Sequence, residues 1–321
     1  MLSEPAAGMT SLLLVTKSLV TKSLRSLAAR AVPRALSTAP ESSPAVPSVP
    51  LLINGEFVES RATAFVPVHD PATQRVLAHT PLATQDEMRA AVDSAKAAFP
   101  KWKNTSVSNR ARLFFRYQQL LRENEDELAH LITMEHGKTL DDARGDLFRG
   151  LEVVEHACSI TSLQMGETVA GVATATDVTS FREPLGVCAG IAPFNFPAMV
   201  PLWMFPMALA TGNTYVMKPS ERVPLTTMRL AELLAEAGVP DGVMNIIHGQ
   251  HDAVNFLCDA PEIKAISFVG GTLLKASAFL RVPLMPLIAS EGLCLPTSAS
   301  DCVRWPKMAE GLRWLIGSDY G

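Results

Sequence analysis

The stretch Leu185-Gly-Val-Cys-Ala-Gly-Ile-Ala-Pro-Phe-Asn-Phe-Pro197 decides the fold of this chain. Within it, residues 186–192 form an uninterrupted apolar run, which is typical of a strand buried on both faces of a sheet. Further strands are predicted at residues 214–217, 243–247 and 265–269, with helices at about 198–211, 224–237 and 252–259. This alternation predicts an α/β fold with a doubly wound parallel sheet, which binds ligands at the carboxyl ends of its strands.

The residues before this stretch predict a hairpin followed by a block of helices. Asn54-Gly55 lies between two apolar segments within residues 51–58, which is a strong hairpin signal. Short strands are expected at about 65–68 and 75–78. Apolar residues then recur at every third or fourth position, as in amphipathic helices. We expect these helices at residues 85–99, where Pro100 ends the first one, and at 110–122, 125–135 and 141–165.

The composition excludes several classes of protein. The chain has 321 residues, of which 48 % are apolar and 19 % charged, so it is neither disordered nor fibrous. Its net charge is −4, and without a basic excess no nucleic acid partner is expected. Residues 184–217 carry no charged side chain, but several prolines interrupt them. Because a proline removes a backbone hydrogen bond that lipid cannot replace, we expect no membrane span there.

The cysteines and histidines predict no metal site. The five cysteines are widely spaced and contain no Cys-x-x-Cys motif, which excludes a disulfide framework and a zinc ribbon. His248 and His251 have no acid or cysteine at metal-ligand spacing, so structural roles are expected for both. Cys158 and Cys188 fall on apolar faces and are predicted to be inert core residues.

Residues 1–40 differ in character from the rest of the chain. They contain five basic residues, one acid and many serines, leucines and alanines. This mixture is typical of a mitochondrial presequence and predicts the mitochondrial matrix, with cleavage before Ser37. A basic tail without a targeting function is the alternative. Residues 41–50 are rich in serine and proline and are interpreted as a linker.

Three loops at predicted strand ends carry candidate functional residues. In the first, Asn195 could donate a hydrogen bond to a developing oxyanion, or could merely tie the turn between two prolines. In the second, Lys218 and Glu221 could hold sugar hydroxyls, or Ser220 could simply cap the next helix. The third loop contains Gly270-Gly271, where a phosphate could approach the backbone, although a tight turn is the simpler interpretation.

Taken together, the three loops resemble the NAD(P)-dependent aldehyde dehydrogenase superfamily. The motifs that carry the resemblance are Pro-Phe-Asn-Phe-Pro, Met-Lys-Pro-Ser-Glu and Phe-x-Gly-Gly, in this order and spacing. Residues 145–150, 203–206 and 245–256 are similar to the CoA-acylating branch of the family, and the resemblance covers about 51–270. It implies NAD as cofactor, CoA as co-substrate, a small semialdehyde substrate and a homotetramer. Residues 51–271 would then be the N-terminal and NAD-binding part.

The resemblance also implies roles for individual residues. Asn195 would be the oxyanion-hole amide, and Ala192 and Phe194 would line the nicotinamide end of NAD. The adenosine ribose would be held by Lys218 and Glu221, with Arg222 beside them. Gly271 stands where the family has a serine against the pyrophosphate. We further expect Arg149 to bind the substrate carboxylate, and the alternative is a surface ion pair with Glu152 or Asp146.

After Gly270 the resemblance stops. Residues 272–321 match no part of the family and are predicted to be an unrelated, poorly ordered tail. The Gly-Gln-Arg-Cys context of the family nucleophile is absent, and neither Cys294 nor Cys302 has the preceding Gly-x-Arg. We therefore expect the catalytic domain to be missing and the chain to be inactive. The alternatives are an active enzyme with a tail thiolate, a non-catalytic NAD-binding module and a non-functional splice product.

Overall fold

A computed structural model of the protein describes residues 46–270 in full and the backbone of residues 287–289. The predictions for the presequence, for Gly271, for Cys294 and Cys302, and for the tail apart from residues 287–289 lie outside the described residues.

The first strands form two antiparallel hairpins. Strands β1 (Leu51–Ile53) and β2 (Glu56–Val58) are joined at Asn54 and Gly55, whose φ angles are 55° and 82°. Two successive positive φ angles are what a type I′ turn requires, so the Asn-Gly prediction is confirmed. Strands β3 (Phe65–His69) and β4 (Val76–Pro81) form a separate two-stranded sheet.

A layer of helices follows these strands. The four long helices are α1 (Gln85–Lys103), α2 (Val107–Glu123), α3 (Glu125–His136) and α4 (Leu140–Cys158). The predicted end of α1 at Pro100 is wrong, because the helix continues for three residues beyond the proline. Trp102 in that last turn is buried, and its Nε1 donates to the Leu209 carbonyl at 3.1 Å. Burial of this side chain thus offsets the backbone hydrogen bond that the proline removes.

The long helix predicted at 141–165 is shorter in the structure. After α4 comes the short helix α5 (Ile160–Leu163), and then a hairpin of β5 (Thr168–Ala173) and β6 (Thr176–Thr179). The sequence did not predict this hairpin. Every residue of its two strands is exposed, so it has no buried face to impose the alternation that marks a strand.

The second half of the chain alternates strands and helices as predicted, with boundaries shifted by at most two residues. These strands and helices are β7 (Val187–Ile191), α6 (Met199–Ala210), β8 (Thr214–Lys218), α7 (Leu225–Glu236), β9 (Met244–Ile246), α8 (His251–Asp259) and β10 (Ile263–Phe268). One further strand, β11 (Leu287–Ala289), was not predicted and lies in the segment interpreted as a tail.

The main sheet has the strand order β11-β10-β7-β8-β9-β1-β2 in the described part of the chain. The five strands from β11 to β9 are parallel, which confirms the predicted α/β class. The β1–β2 hairpin extends the sheet with antiparallel strands, through the pair Leu52 and Ile246. The Asn-Gly pattern predicted the hairpin but not its pairing with β9.

Helices cover both faces of the sheet. Apolar residues of α1 and α8 pack on one face against alternate β7 residues, namely Val187, Ala189 and Ile191. Helices α2, α3, α4, α6 and α7 contribute to the larger core on the other face, which includes Cys188 and Tyr215. The strand order changes direction between β7 and β10, so a crevice is expected beyond the carboxyl ends of these two strands. Within residues 46–270, no helix combines the length and apolar character that crossing a membrane requires.

Candidate functional site

The loops that follow β7, β8 and β10 meet at the carboxyl edge of the sheet. Ile191 and Lys218 are register partners, and the Ala192 N–H donates to the Lys218 carbonyl at 3.1 Å. On the other side, the Val269 N–H donates to the Ile191 carbonyl at 3.2 Å. The structure therefore brings the predicted loops together at the point where the strand order reverses, which is where open α/β sheets bind ligands.

Lys218 and Glu221 form an ion pair at this edge. Lys218 is the last residue of β8 and is 5 % exposed, and its Nζ lies 3.2 Å from Glu221 Oε2. Burial lowers the pKa of the Lys218 ammonium, while the Glu221 charge acts in the opposite direction. An ammonium group can donate three hydrogen bonds. Among the described residues, Glu221 is the one side chain that accepts from it, so Lys218 retains donor capacity for a ligand.

The backbone of the second loop is held by neighbouring side chains. Thr80 Oγ1 donates to the Glu221 carbonyl at 2.9 Å, and Ser220 Oγ accepts the Arg222 N–H at 3.3 Å. Ser220 therefore closes a local turn and does not cap α7, which corrects that alternative. The carboxylate that accepts the first N–H groups of α7 belongs to Glu135, a residue that no local pattern singled out.

The first loop presents an amide and an aromatic ring. Ala192 is buried, whereas Phe194 is 52 % exposed and lies under the Arg222 guanidinium, whose Cζ is 5.7 Å from the ring centroid. Asn195 is exposed, and its side chain makes no hydrogen bond with the residues that the structure describes. The alternative in which the Asn195 amide ties the turn is thus not realised, and its donor remains available at the site.

Arg149 lies on α4 beside the start of α6. Its carbonyl accepts the Trp203 Nε1–H at 3.2 Å, and its side chain is exposed. Asp146 binds Lys138 Nζ at 2.7 Å instead of Arg149. Within residues 46–270, Arg149 forms no ion pair with Asp146 or Glu152, so that alternative is wrong.

Other candidates stay structural. His248 is fully buried, with Nε2 3.0 Å from the Pro50 carbonyl, and burial lowers its pKa to about 4. Burial raises the pKa of Cys158 to about 11 and that of Cys188 to about 12, which keeps both as unreactive thiols. Across the described ranges, no group of three or more His, Cys, Asp or Glu side chains is placed to hold a metal ion.

Comparisons with known proteins identify the family of this chain. Residues 57–276 match the model of the aldehyde dehydrogenase family, so the match extends six residues beyond Gly270, where the resemblance was expected to stop. The chain is 62 % identical over 229 residues to the mouse mitochondrial methylmalonate-semialdehyde/malonate-semialdehyde dehydrogenase [acylating], covering 71 % of this chain and 43 % of that protein. It is likewise 62 % identical over 228 residues to the human protein of that name, with the same coverage.

A solved structure has a similar fold. A candidate methylmalonate-semialdehyde dehydrogenase from Sinorhizobium meliloti 1021, complexed with NAD, superposes with a TM-score of 0.72 and 43 % sequence identity. The superposition covers 74 % of this chain and 50 % of that one. The chain thus spans less than half the length of the curated relatives it matches. On the family match, which includes all three loops of the site up to Gly270, this chain belongs to the aldehyde dehydrogenase family.

Proposed function

We propose that this chain is the dinucleotide-binding part of a CoA-acylating methylmalonate-semialdehyde dehydrogenase and that it binds NAD. The observation that carries the proposal is the ion pair between the buried Lys218 and the partly exposed Glu221 at the carboxyl end of β8, beside the point where the strand order reverses. The relatives' names and the NAD complex of the similar structure support it.

The donor set of this pair fits a ribose. Each hydroxyl of a ribose diol both donates and accepts a hydrogen bond. Lys218 supplies spare N–H donors, and the 22 % exposed Glu221 carboxylate supplies acceptors next to it. The pair would therefore hold the adenosine ribose, and Arg222 beside it supplies a positive charge at the mouth of the site.

The first loop would hold the nicotinamide end. Ala192 and Phe194 offer apolar contact for the ring, and bound NAD supplies the hydride acceptor of the reaction. Asn195 would donate its amide N–H to the aldehyde oxygen, where negative charge develops during attack on the carbonyl. An amide serves this purpose well because it stabilises the oxyanion without changing its own charge.

Arg149 is our candidate for the carboxylate of the semialdehyde. Its guanidinium is exposed and has no acidic partner within residues 46–270, and its helix packs beside α6, which follows the Asn195 loop. A guanidinium can bind a carboxylate through two parallel hydrogen bonds, which would orient the substrate as well as attract it.

For the full-length relatives we propose oxidative decarboxylation of the semialdehyde, with CoA as the acyl acceptor, in a tetramer of the mitochondrial matrix. We assign no described residue to CoA. For this chain we propose NAD binding without aldehyde oxidation. The support is that none of its five cysteines stands in a Gly-Gln-Arg-Cys context, and an aldehyde must first form a covalent adduct with a thiolate.

Thermal unfolding of the 321-residue chain with and without NAD tests the binding proposal. We expect NAD to raise the melting temperature, because a ligand present at a hundred times its Kd stabilises the folded state by about 2.7 kcal/mol. Lys218→Met should abolish the shift, since it keeps the length of the side chain but removes the donor. Lys264→Met is the matched control, because Lys264 is an exposed residue near the amino end of β10. A cooperative transition that millimolar NAD does not move would contradict the proposal.

Aldehyde-dependent NADH formation tests the second part. With methylmalonate semialdehyde, NAD and CoA, we expect no NADH from this chain. Formation of NADH that disappears in Cys294→Ala or Cys302→Ala would show that the tail supplies a nucleophile, and the proposal of an inactive chain would then be wrong.

A further inference from the structure

We infer that three residues at the junction of α3 and α4 position both ligand-binding loops. These residues are Glu135, Lys138 and Asp146, called here the α3–α4 corner. The inference rests on the proposed NAD site, and it concerns positioning residues that touch neither the cofactor nor the substrate.

Asp146 holds the start of α6, the helix that follows the Asn195 loop. Its Oδ1 accepts the Met199 N–H at 2.8 Å, and its side chain is fully buried. The N-cap residue of α6 is Ala198, which has no side-chain acceptor. An alanine cannot satisfy the unpaired N–H groups of a helix start, so a carboxylate from another helix takes that role.

Glu135 holds the start of α7 in the same way. Its two oxygens accept the N–H groups of Leu225 and Thr226 at 2.8 and 2.9 Å, and the Thr226 hydroxyl also donates to it. The N-cap residue of α7 is Pro224, which makes no side-chain cap. Helix α7 directly follows the loop of Lys218 and Glu221, so Glu135 fixes the far end of that loop.

Lys138 connects Asp146 to the first loop. Its Nζ binds Asp146 Oδ2 at 2.7 Å and lies 4.0 Å from the centroid of the Phe196 ring. Phe196 is the neighbour of Asn195 in the first loop. A cation over an aromatic face is attracted to the ring, and the attraction increases as the pair loses water, which fits a lysine that is 13 % exposed.

The charges of this corner compensate one another. Asp146 brings one negative charge, Lys138 brings one positive charge, and each helix start contributes about half a positive charge. Burial raises the pKa of Glu135 to about 7, so at neutral pH Glu135 adds its negative charge only in part. The helix starts are also linked directly, because Thr227 Oγ1 donates to the Pro197 carbonyl at 3.4 Å. Loss of any member would therefore leave buried charge or unpaired N–H groups at a helix start that adjoins the site.

The test compares two ligands, NAD and AMP, by calorimetric titration of the 321-residue chain at a temperature where each variant is folded. AMP probes the Lys218–Glu221 loop, whereas NAD probes both loops. We expect Glu135→Gln to weaken both ligands at least fivefold. Asp146→Asn and Lys138→Met should weaken NAD at least fivefold and leave the Kd of AMP unchanged. A role limited to general stability would not produce this difference between ligands.

Arg110→Met is the matched control for lost stability. Arg110 is buried and donates to the Ala210 carbonyl at the opposite end of α6, so its loss should lower the melting temperature without changing either Kd. Equal Kd values in the wild type and in all folded corner variants would overturn the inference. If Glu135→Gln does not fold, the Kd values of Lys138→Met for NAD and AMP test the inference, since the Lys138 side chain is partly exposed. Failure of the wild type to bind NAD would instead contradict the proposed function.

Discussion

The carboxylate of Glu135 accepts the Leu225 N–H at 2.8 Å, although the two residues are 90 positions apart in the chain. Burial raises the pKa of this carboxyl from 4.5 to about 7, despite the hydrogen bonds from Leu225 and Thr226, and the nearby Asp146 raises it further. Desolvation therefore outweighs the donors around the charge.

This raised pKa predicts that stability falls as the pH rises. Between pH 4.5 and 7 the folded chain holds a proton on Glu135 that the unfolded chain has released, so raising the pH favours unfolding. Relative to Glu135→Gln, which does not titrate, we expect the wild type to lose about 2 kcal/mol of unfolding free energy between pH 5 and pH 8. Urea unfolding at the two pH values measures this difference. A difference that stays constant or grows with pH would contradict the assigned pKa.

His248 predicts the opposite trend in acid. Burial keeps its imidazole neutral, with a pKa lowered from 6.5 to about 4, and Lys218 adds to the effect. As the pH falls from 6.5 to 4, the unfolded chain therefore binds a proton on His248 that the folded chain does not bind, so lowering the pH favours unfolding. Relative to His248→Gln, which can still donate to the Pro50 carbonyl, the wild type should lose about 2 kcal/mol between pH 7 and pH 4.5. The same urea titrations provide the measurement, and an unchanged difference would rule out a buried neutral histidine.

Two glycines of α4 predict opposite outcomes for the same substitution. A Cβ on Gly150 would lie 2.6 Å from Leu202 Cδ1 and 3.0 Å from Leu202 Cβ, so Gly150→Ala must push α4 and α6 apart. We expect it to cost about 1–3 kcal/mol of unfolding free energy. A Cβ on Gly145 would meet nothing within 4 Å, and Gly145→Ala should stabilise the chain by about 0.5–1 kcal/mol through helix propensity. Equal effects of the two variants would show that α4 and α6 are not in close contact.

Replacing Arg110 should lower the free energy of unfolding strongly, although this arginine has no acidic partner in the described part of the chain. Its guanidinium donates to the Ala210 carbonyl at 2.8 Å, to Gln164 Oε1 at 3.0 Å and to the Thr105 carbonyl. Arg110→Met should cost about 3 kcal/mol, because the buried Ala210 carbonyl and two partly buried acceptors lose a charged donor at once. Arg112→Met is the control on the same helix, since Arg112 is exposed and binds Asn109, and it should change the unfolding free energy by less than about 0.5 kcal/mol.

The sequence predicted the features that depend on local patterns. The apolar run at 186–192 marks β7 because a strand covered on both faces has no polar side, and Lys218 stands out as the first charge after that neutral stretch. The exposed hairpin β5–β6 was missed because burial imposes no pattern on it. The partner of Glu135 could not be predicted, because a contact across 90 residues leaves no mark on the residues around it.

The two buried carboxylates also link the order of synthesis to the order of folding. Glu135 and Asp146 leave the ribosome 90 and 53 residues before the N–H groups that they bind. At about 5–20 residues per second, Glu135 waits about 5–18 s for α7 to be made. Until its helix is made, each carboxylate lacks the N–H groups that it binds, and burying an unpaired carboxylate costs free energy. We therefore expect the buried contacts of Glu135 and Asp146 to form only together with the starts of α6 and α7.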